Sequence, residues 1–157
     1  MNRGRGILKI FGVLVLGVVA LALLIQILPI GKNHTNPAVI AEPAWDSPQT
    51  RALAQRACFD CHSNETVWPW YSNIAPVSWL VYRDVQEGRQ RMNFSEWGVP
   101  RQAQGREREG FESDEVGEVI RDGEMPPMIY LVQHPEAALT GAEKEQLIRG
   151  LEASLQP

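Results

Sequence analysis

Cys58-Phe59-Asp60-Cys61-His62 spells C-x-x-C-H, the attachment signature of a covalently bound haem. The spacing has a chemical reason. Two thiols three residues apart lie about one helical turn apart, so each can add to one vinyl group of the same porphyrin. The imidazole that follows the second thiol is then carried beneath the iron as its proximal ligand, and a neutral imidazole nitrogen ligates haem iron well. The chain has two cysteines, both in this motif, so none is left for a separate disulfide framework or a four-thiolate metal site. Two other uses of C-x-x-C compete. A thioredoxin-type redox disulfide sits beside a βαβ pattern, which this sequence lacks. A zinc site needs two further ligands, and His34 and His134 do not form the closely spaced pair of a zinc finger.

Upstream of the motif the chain changes character. From Ile10 to Leu28 only Gln26 is polar, and Arg3, Arg5 and Lys9 precede the run. At about 1.5 Å per residue this run nearly spans the roughly 30 Å hydrocarbon core of a bilayer. A cleaved signal has a shorter apolar core, about 7–15 residues, followed by a small-residue cleavage site. Here the Ala20-Leu21-Ala22 triplet lies inside the apolar run. The reading is an uncleaved signal anchor over residues 10–30. The basic residues place the flank, residues 1–9, in the cytoplasm and everything after the anchor outside. In a bacterium the haem domain would then be periplasmic or extracellular, on a single-pass protein of the inner membrane. Covalent attachment at C-x-x-C-H belongs to exported bacterial cytochromes, so the two features agree. The formal net charge of −4 argues against nucleic acid, which selects basic surfaces.

Residues 31–46 contain Pro37 and Pro43 with little periodicity and read as a linker. Residues 47–157 read as the haem-binding domain. Ser47-Pro48 is a helix start, with Ser47 as N-cap and Pro48 in the first helical position. Leu53, Ala54 and Ala57 form an apolar stripe that leads into Cys58. Trp68-Pro69-Trp70-Tyr71 reads as a turn or irregular loop. Pro76 opens a second helix, with Val77, Leu80, Val81 and Val85 on its buried side and Gly88 as its stop. Gly98 to Gly110 reads as a loop. Ser113 caps a third helix that buries Val116, Val119 and Ile120 and ends at Gly123. Thr140 and Glu143 form a capping box for a last helix with Leu147, Ile148 and Leu151 inside. No convincing alternating strand pattern occurs. The expected fold is all-α: a small cytochrome c-like helical domain with long loops, preceded by one transmembrane helix.

Haem iron has two axial positions, and His62 accounts for one. Met125, in Gly123-Glu124-Met125-Pro126-Pro127, is the first candidate for the other. A thioether completes the coordination, and Met/His pairing raises the reduction potential. Met128 and then His134 follow as candidates, with Met92 and His34 behind them. A sixth position left open is a further possibility. Trp68, Trp70, Tyr71 and Trp79 are candidates to line the porphyrin. Arg83, Arg89 and Arg91 are candidates to meet its propionates.

Taken with Ser63-Asn64-Glu65-Thr66, Trp68-Pro69-Trp70-Tyr71-Ser72, Ala75-Pro76, Trp79, Gly88-Arg89, Asn93-Phe94-Ser95-Glu96-Trp97, Gly123-Glu124-Met125-Pro126 and His134-Pro135, the motif resembles the bacterial haem-binding domain family. These c-type cytochrome-like proteins have a single N-terminal anchor. The resemblance implies haem c held by Cys58, Cys61 and His62 and, by similarity to cytochromes c, supports Met125. The charged, glycine-broken stretch from Arg101 to Gly110 departs from the pattern and leaves the length of the third helix open. The resemblance supplies no reaction. The expected function is electron transfer by a His/Met-ligated haem, with a membrane or periplasmic redox protein as partner and the lipid bilayer as support. A peroxidase-type haem enzyme and a haem-based redox or gas sensor are the alternatives.

Overall fold

The computed structural model describes residues 3–99 and 113–155, with side chains from 6 and from 115 onward in the two stretches. The Arg101–Gly110 stretch and the capping side chain of Ser113 lie outside them. Among the described residues the regular secondary structure is helical, apart from one isolated bridge between Ala41 and Glu96. They fall into two compact units, Met1–His34 with Trp68–Arg83, and Thr35–Val67 with Asp84–Pro157.

The first unit begins with α1, Arg3–Ile25. Its Gly6–Ile25 stretch is long and apolar enough to cross a membrane. The helix starts earlier than the expected anchor and stops short of residue 30. Beyond Ile25, Gln26, Ile27 and Leu28 turn on bonds to carbonyls three residues back. The one polar side chain of the run is used at this end. Gln26 Nε2 donates to the carbonyls of Ala22 and Ala75, both at 2.9 Å, and its Oε1 accepts from Ala75 N at 2.9 Å. Gly31, at φ 69°, lies so close that a Cβ there would meet the Ser78 carbonyl at 2.4 Å. The expected turn or loop at Trp68-Pro69-Trp70-Tyr71 takes the form of a 3₁₀ turn, Trp70–Asn73. His34 stacks on Trp68 with ring centroids 4.5 Å apart and donates through Nε2 to the Ser72 carbonyl at 3.1 Å.

The second unit holds the motif. Helix α2, Pro48–Ala57, starts as expected, with Ser47 Oγ accepting from Thr50 N at 3.2 Å. Next come α3, Phe59–His62, and α4, Val77–Arg91, whose first turns belong to the other unit. Helices α5, Ser113–Arg121, α6, Met128–Gln133, and α7, Gly141–Ser154, complete it. Leu53, Ala54, Phe59, Phe94, Val116, Ile120, Leu147, Ile148 and Leu151 form one buried cluster. Helix α7 packs on α5 and α2. Thr140 and Glu143 form the expected capping box, with Glu143 N donating to Thr140 Oγ1 and Thr140 N to the Glu143 carboxylate. Thr140→Ala should cost about 1 kcal/mol, read as a lower midpoint in chemical denaturation at unchanged slope.

Three expectations are corrected. The linker is not free, because Ile40 N and Ala41 N both donate to the Ser95 carbonyl and Trp97 N donates to the Ala41 carbonyl. Trp45 packs on the core, and Arg51 clasps Glu42. An extended, proline-marked segment can pack without any periodicity to reveal it. Gly88 does not stop α4, which runs on to Arg91. Of the apolar stripe on α4, Val85 is buried but Val77 and Leu80 are exposed.

Candidate haem site

The C-x-x-C-H turn is fixed from both sides. Cys58 closes α2 with its N–H on the Ala54 carbonyl at 2.8 Å, and its own carbonyl accepts from Cys61 N at 3.2 Å and His62 N at 2.9 Å. Phe59 points inward, fully buried and stacked on Phe94 at 5.4 Å. With Phe59 fixed, Cys58 and Cys61 remain half-buried and unpaired. Burial pushes each thiol up to about 12. Both are therefore protonated at neutral pH, unlike the activated thiolate of a redox dithiol. Among the described residues, no group of three or more His, Cys, Asp or Glu gathers as a metal site.

Helix α4 crosses directly over this turn at Gly88. A Cβ there would lie 2.5 Å from the Cys61 carbonyl oxygen and 2.9 Å from its carbon. Only a glycine lets the two backbones approach so closely.

His62 is oriented by the chain that follows α4. Its Nδ1–H donates to the Met92 carbonyl at 3.2 Å, and Phe94 N donates to the His62 carbonyl at 2.8 Å. That bond fixes the tautomer and leaves the Nε2 lone pair for a metal. Burial holds the imidazole below its ordinary pKa, so the neutral, ligating form is favoured.

Asp60, one of the two variable positions of the motif, ties down its other side. Its Oδ1 accepts from Val67 N at 2.9 Å and its Oδ2 from the Tyr130 hydroxyl at 2.8 Å. Tyr130 lies on α6 and stacks on His134 with centroids 4.3 Å apart. The Met125-Pro126-Pro127 stretch, which leads into α6, is thus attached to the haem motif through Tyr130. Met125 itself leaves Gly123, at φ 76°, with its N–H on the Val119 carbonyl at 3.1 Å. Met125 is 37 % exposed, against 74 % for Met128. Met92 is buried in the core.

Arg89, a candidate to meet a propionate, is occupied by the protein's own oxygens. It is buried, and its guanidinium donates to the Ser63 carbonyl at 2.8 Å, to Asn36 Oδ1 at 2.9 Å and to Thr66 Oγ1 at 2.9 Å. It braces the loop after the motif. The aromatics Trp68, Trp70, Tyr71 and Trp79 belong to the first compact unit.

The model of one family, described as a haem-binding domain, matches residues 20–153. The chain belongs to the haem-binding domain family. No curated protein and no solved structure gives a match. The residues of this haem-binding domain fit the group. His62 offers a neutral nitrogen whose partner nitrogen is already engaged. The two thiols flank one turn, and Gly88 keeps that turn close to α4. Sequence reasoning missed the role of Gly88 as a crossing point, the Met92 carbonyl and the Asp60–Tyr130 bond. Gly88 carried a signal, since a glycine inside a helical pattern can mark close packing as well as an end.

Proposed function

We propose that this protein is a membrane-anchored c-type haem protein that transfers electrons. Cys58 and Cys61 would form the two thioethers, and His62 and Met125 would be the axial ligands. The observation that carries this reading is the His62 Nδ1–Met92 carbonyl bond within a C-x-x-C-H turn, which commits the imidazole to one orientation and one tautomer. The haem supplies a one-electron change at iron, and the chain supplies its setting. The buried environment of His62 keeps its nitrogen unprotonated. The rigid turn holds both thiols in fixed relation to that nitrogen. Tyr130 and Asp60 anchor the segment that carries Met125.

The Gly6–Ile25 stretch would cross the bacterial inner membrane, with Arg3, Arg5 and Lys9 inside and the haem domain outside. The partner would be a membrane or periplasmic redox protein, met through a small transient interface.

Alanine replacement of each candidate distal ligand tests the pairing. Met125→Ala should abolish the weak red absorption band of sulfur-to-iron ligation. It should also lower the midpoint potential by about 100 mV or more, within the roughly 0.8 V range that axial ligands set. Met128→Ala and His134→Ala should leave both unchanged. A band lost in Met128→Ala alone would move the ligand, and a high-spin wild type would favour a peroxidase-type enzyme.

A further inference from the structure

Residues 68–82 contain no charged side chain and hold five of the chain's eight tryptophans and tyrosines: Trp68, Trp70, Tyr71, Trp79 and Tyr82. This stretch shares a compact unit with α1. The attachment is specific. Gln26, the residue after the apolar span, bonds both the N–H and the carbonyl of Ala75, and Gly31 packs against Ser78 without room for a Cβ. Ala75 therefore sits within one side-chain length of the end of the span. Around it, Trp70 is 75 % exposed, and Ile74, Val77 and Leu80 are exposed as well. In water this is an unfavourable surface. At the boundary of a bilayer it is the favoured one, because tryptophan and tyrosine partition to the headgroup level and apolar neighbours reach the acyl chains.

We propose that the Trp70–Asn73 turn and the first turns of α4 form a collar that docks into the headgroup zone of the membrane that α1 crosses. Trp70, Ile74, Val77 and Leu80 are its contact residues. The occupant is lipid because the collar is continuous with the apolar span and bonded to its end. The proposal rests on the reading of α1 as a membrane span, and its test separates the two.

The full chain, matured with haem, has both cysteines in thioethers on the reading above, so one introduced thiol can carry a spin label. Labels are placed by Trp70→Cys and Ile74→Cys in the collar, Val18→Cys in the span and Glu118→Cys on the exposed side of α5. Each protein is reconstituted into vesicles of phosphatidylethanolamine and phosphatidylglycerol. Collisions with oxygen, which concentrates in lipid, and with a water-soluble nickel complex are then measured. The collar labels should lose roughly half or more of the nickel collisions seen at Glu118 and show oxygen collisions between those of Glu118 and Val18, as the interfacial level requires. If Val18 reads as lipid while both collar labels match Glu118, the anchor stands and the collar is overturned. If Val18 itself reads as water, the anchor reading fails and the collar with it. Ile74→Cys decides the matter should Trp70→Cys not retain haem.

Discussion

Replacing both Cys58 and Cys61 with alanine should remove all haem that survives denaturation, while the protein still accumulates in the membrane. The effect is all-or-none because the two sulfurs are the chain's only thiols. Each single replacement should leave one thioether and a haem still covalently held. The turn should persist in the double variant, since Phe59 and the Cys58 backbone hold it without help from sulfur. His62 keeps its bond to the Met92 carbonyl, so some haem could bind without a covalent link and would wash out in detergent and acid. Haem-dependent peroxidase staining of a denaturing gel, beside an immunoblot for the chain, reads both quantities. A stained band of the double variant at wild-type intensity would refute thioether attachment.

Gly88→Ala should destabilise the second unit strongly for the addition of a single methyl. The new Cβ would lie 2.5 Å from the Cys61 carbonyl oxygen and 3.0 Å from the Cys61 Cβ. The nearest atoms are backbone, so no side chain can swing away, and α4 must move off the haem turn. Alanine improves intrinsic helix propensity by up to about 1 kcal/mol. Overpacking of this kind costs about 1–3 kcal/mol or more, and the clash outweighs the propensity gain. Each kcal/mol lost lowers the midpoint of a domain of this size by about 4–8 °C. Covalent haem yield should fall too, because the displaced turn presents its thiols out of register. Gly141→Ala is the matched control: it lies in α7 with nothing within 4 Å of its Cβ, and it should fold and load haem as the wild type does. Equal stability and haem content in Gly88→Ala would show that the crossing is looser than its geometry.

The parts of this architecture that could be read from sequence are those set by local chemistry. Ser47-Pro48 and Thr140/Glu143 announce helix starts because capping is a contact between residues a few positions apart. Leu147, Ile148 and Leu151 announce a buried stripe because α7 has a single polar side. The C-x-x-C-H motif is legible for the same reason, since Cys58, Cys61 and His62 lie within five residues. What failed was tertiary. Gly88 reads locally as a stop, and only the approach of Cys61 from elsewhere in the chain shows it to be a crossing point. Residues 35–46 carry no period, yet they pack, on partners such as Ser95 and Thr66 that lie far along the chain. Val77 and Leu80 follow helical spacing, but that spacing cannot say whether the apolar side meets protein or lipid. Helix α6 was missed because it is six residues long and shows solvent Met128, Ile129 and Val132, a pattern opposite to the usual burial rule.

The absorption spectrum of the full-length protein, made alongside c-type maturation machinery and recorded oxidised and reduced in detergent, bears most directly on the haem assignment. A low-spin spectrum with the weak red sulfur-to-iron band in the oxidised form is the expected result, and denaturation should leave the haem on the chain. A chain that emerges without haem, its two thiols free to react, would contradict it.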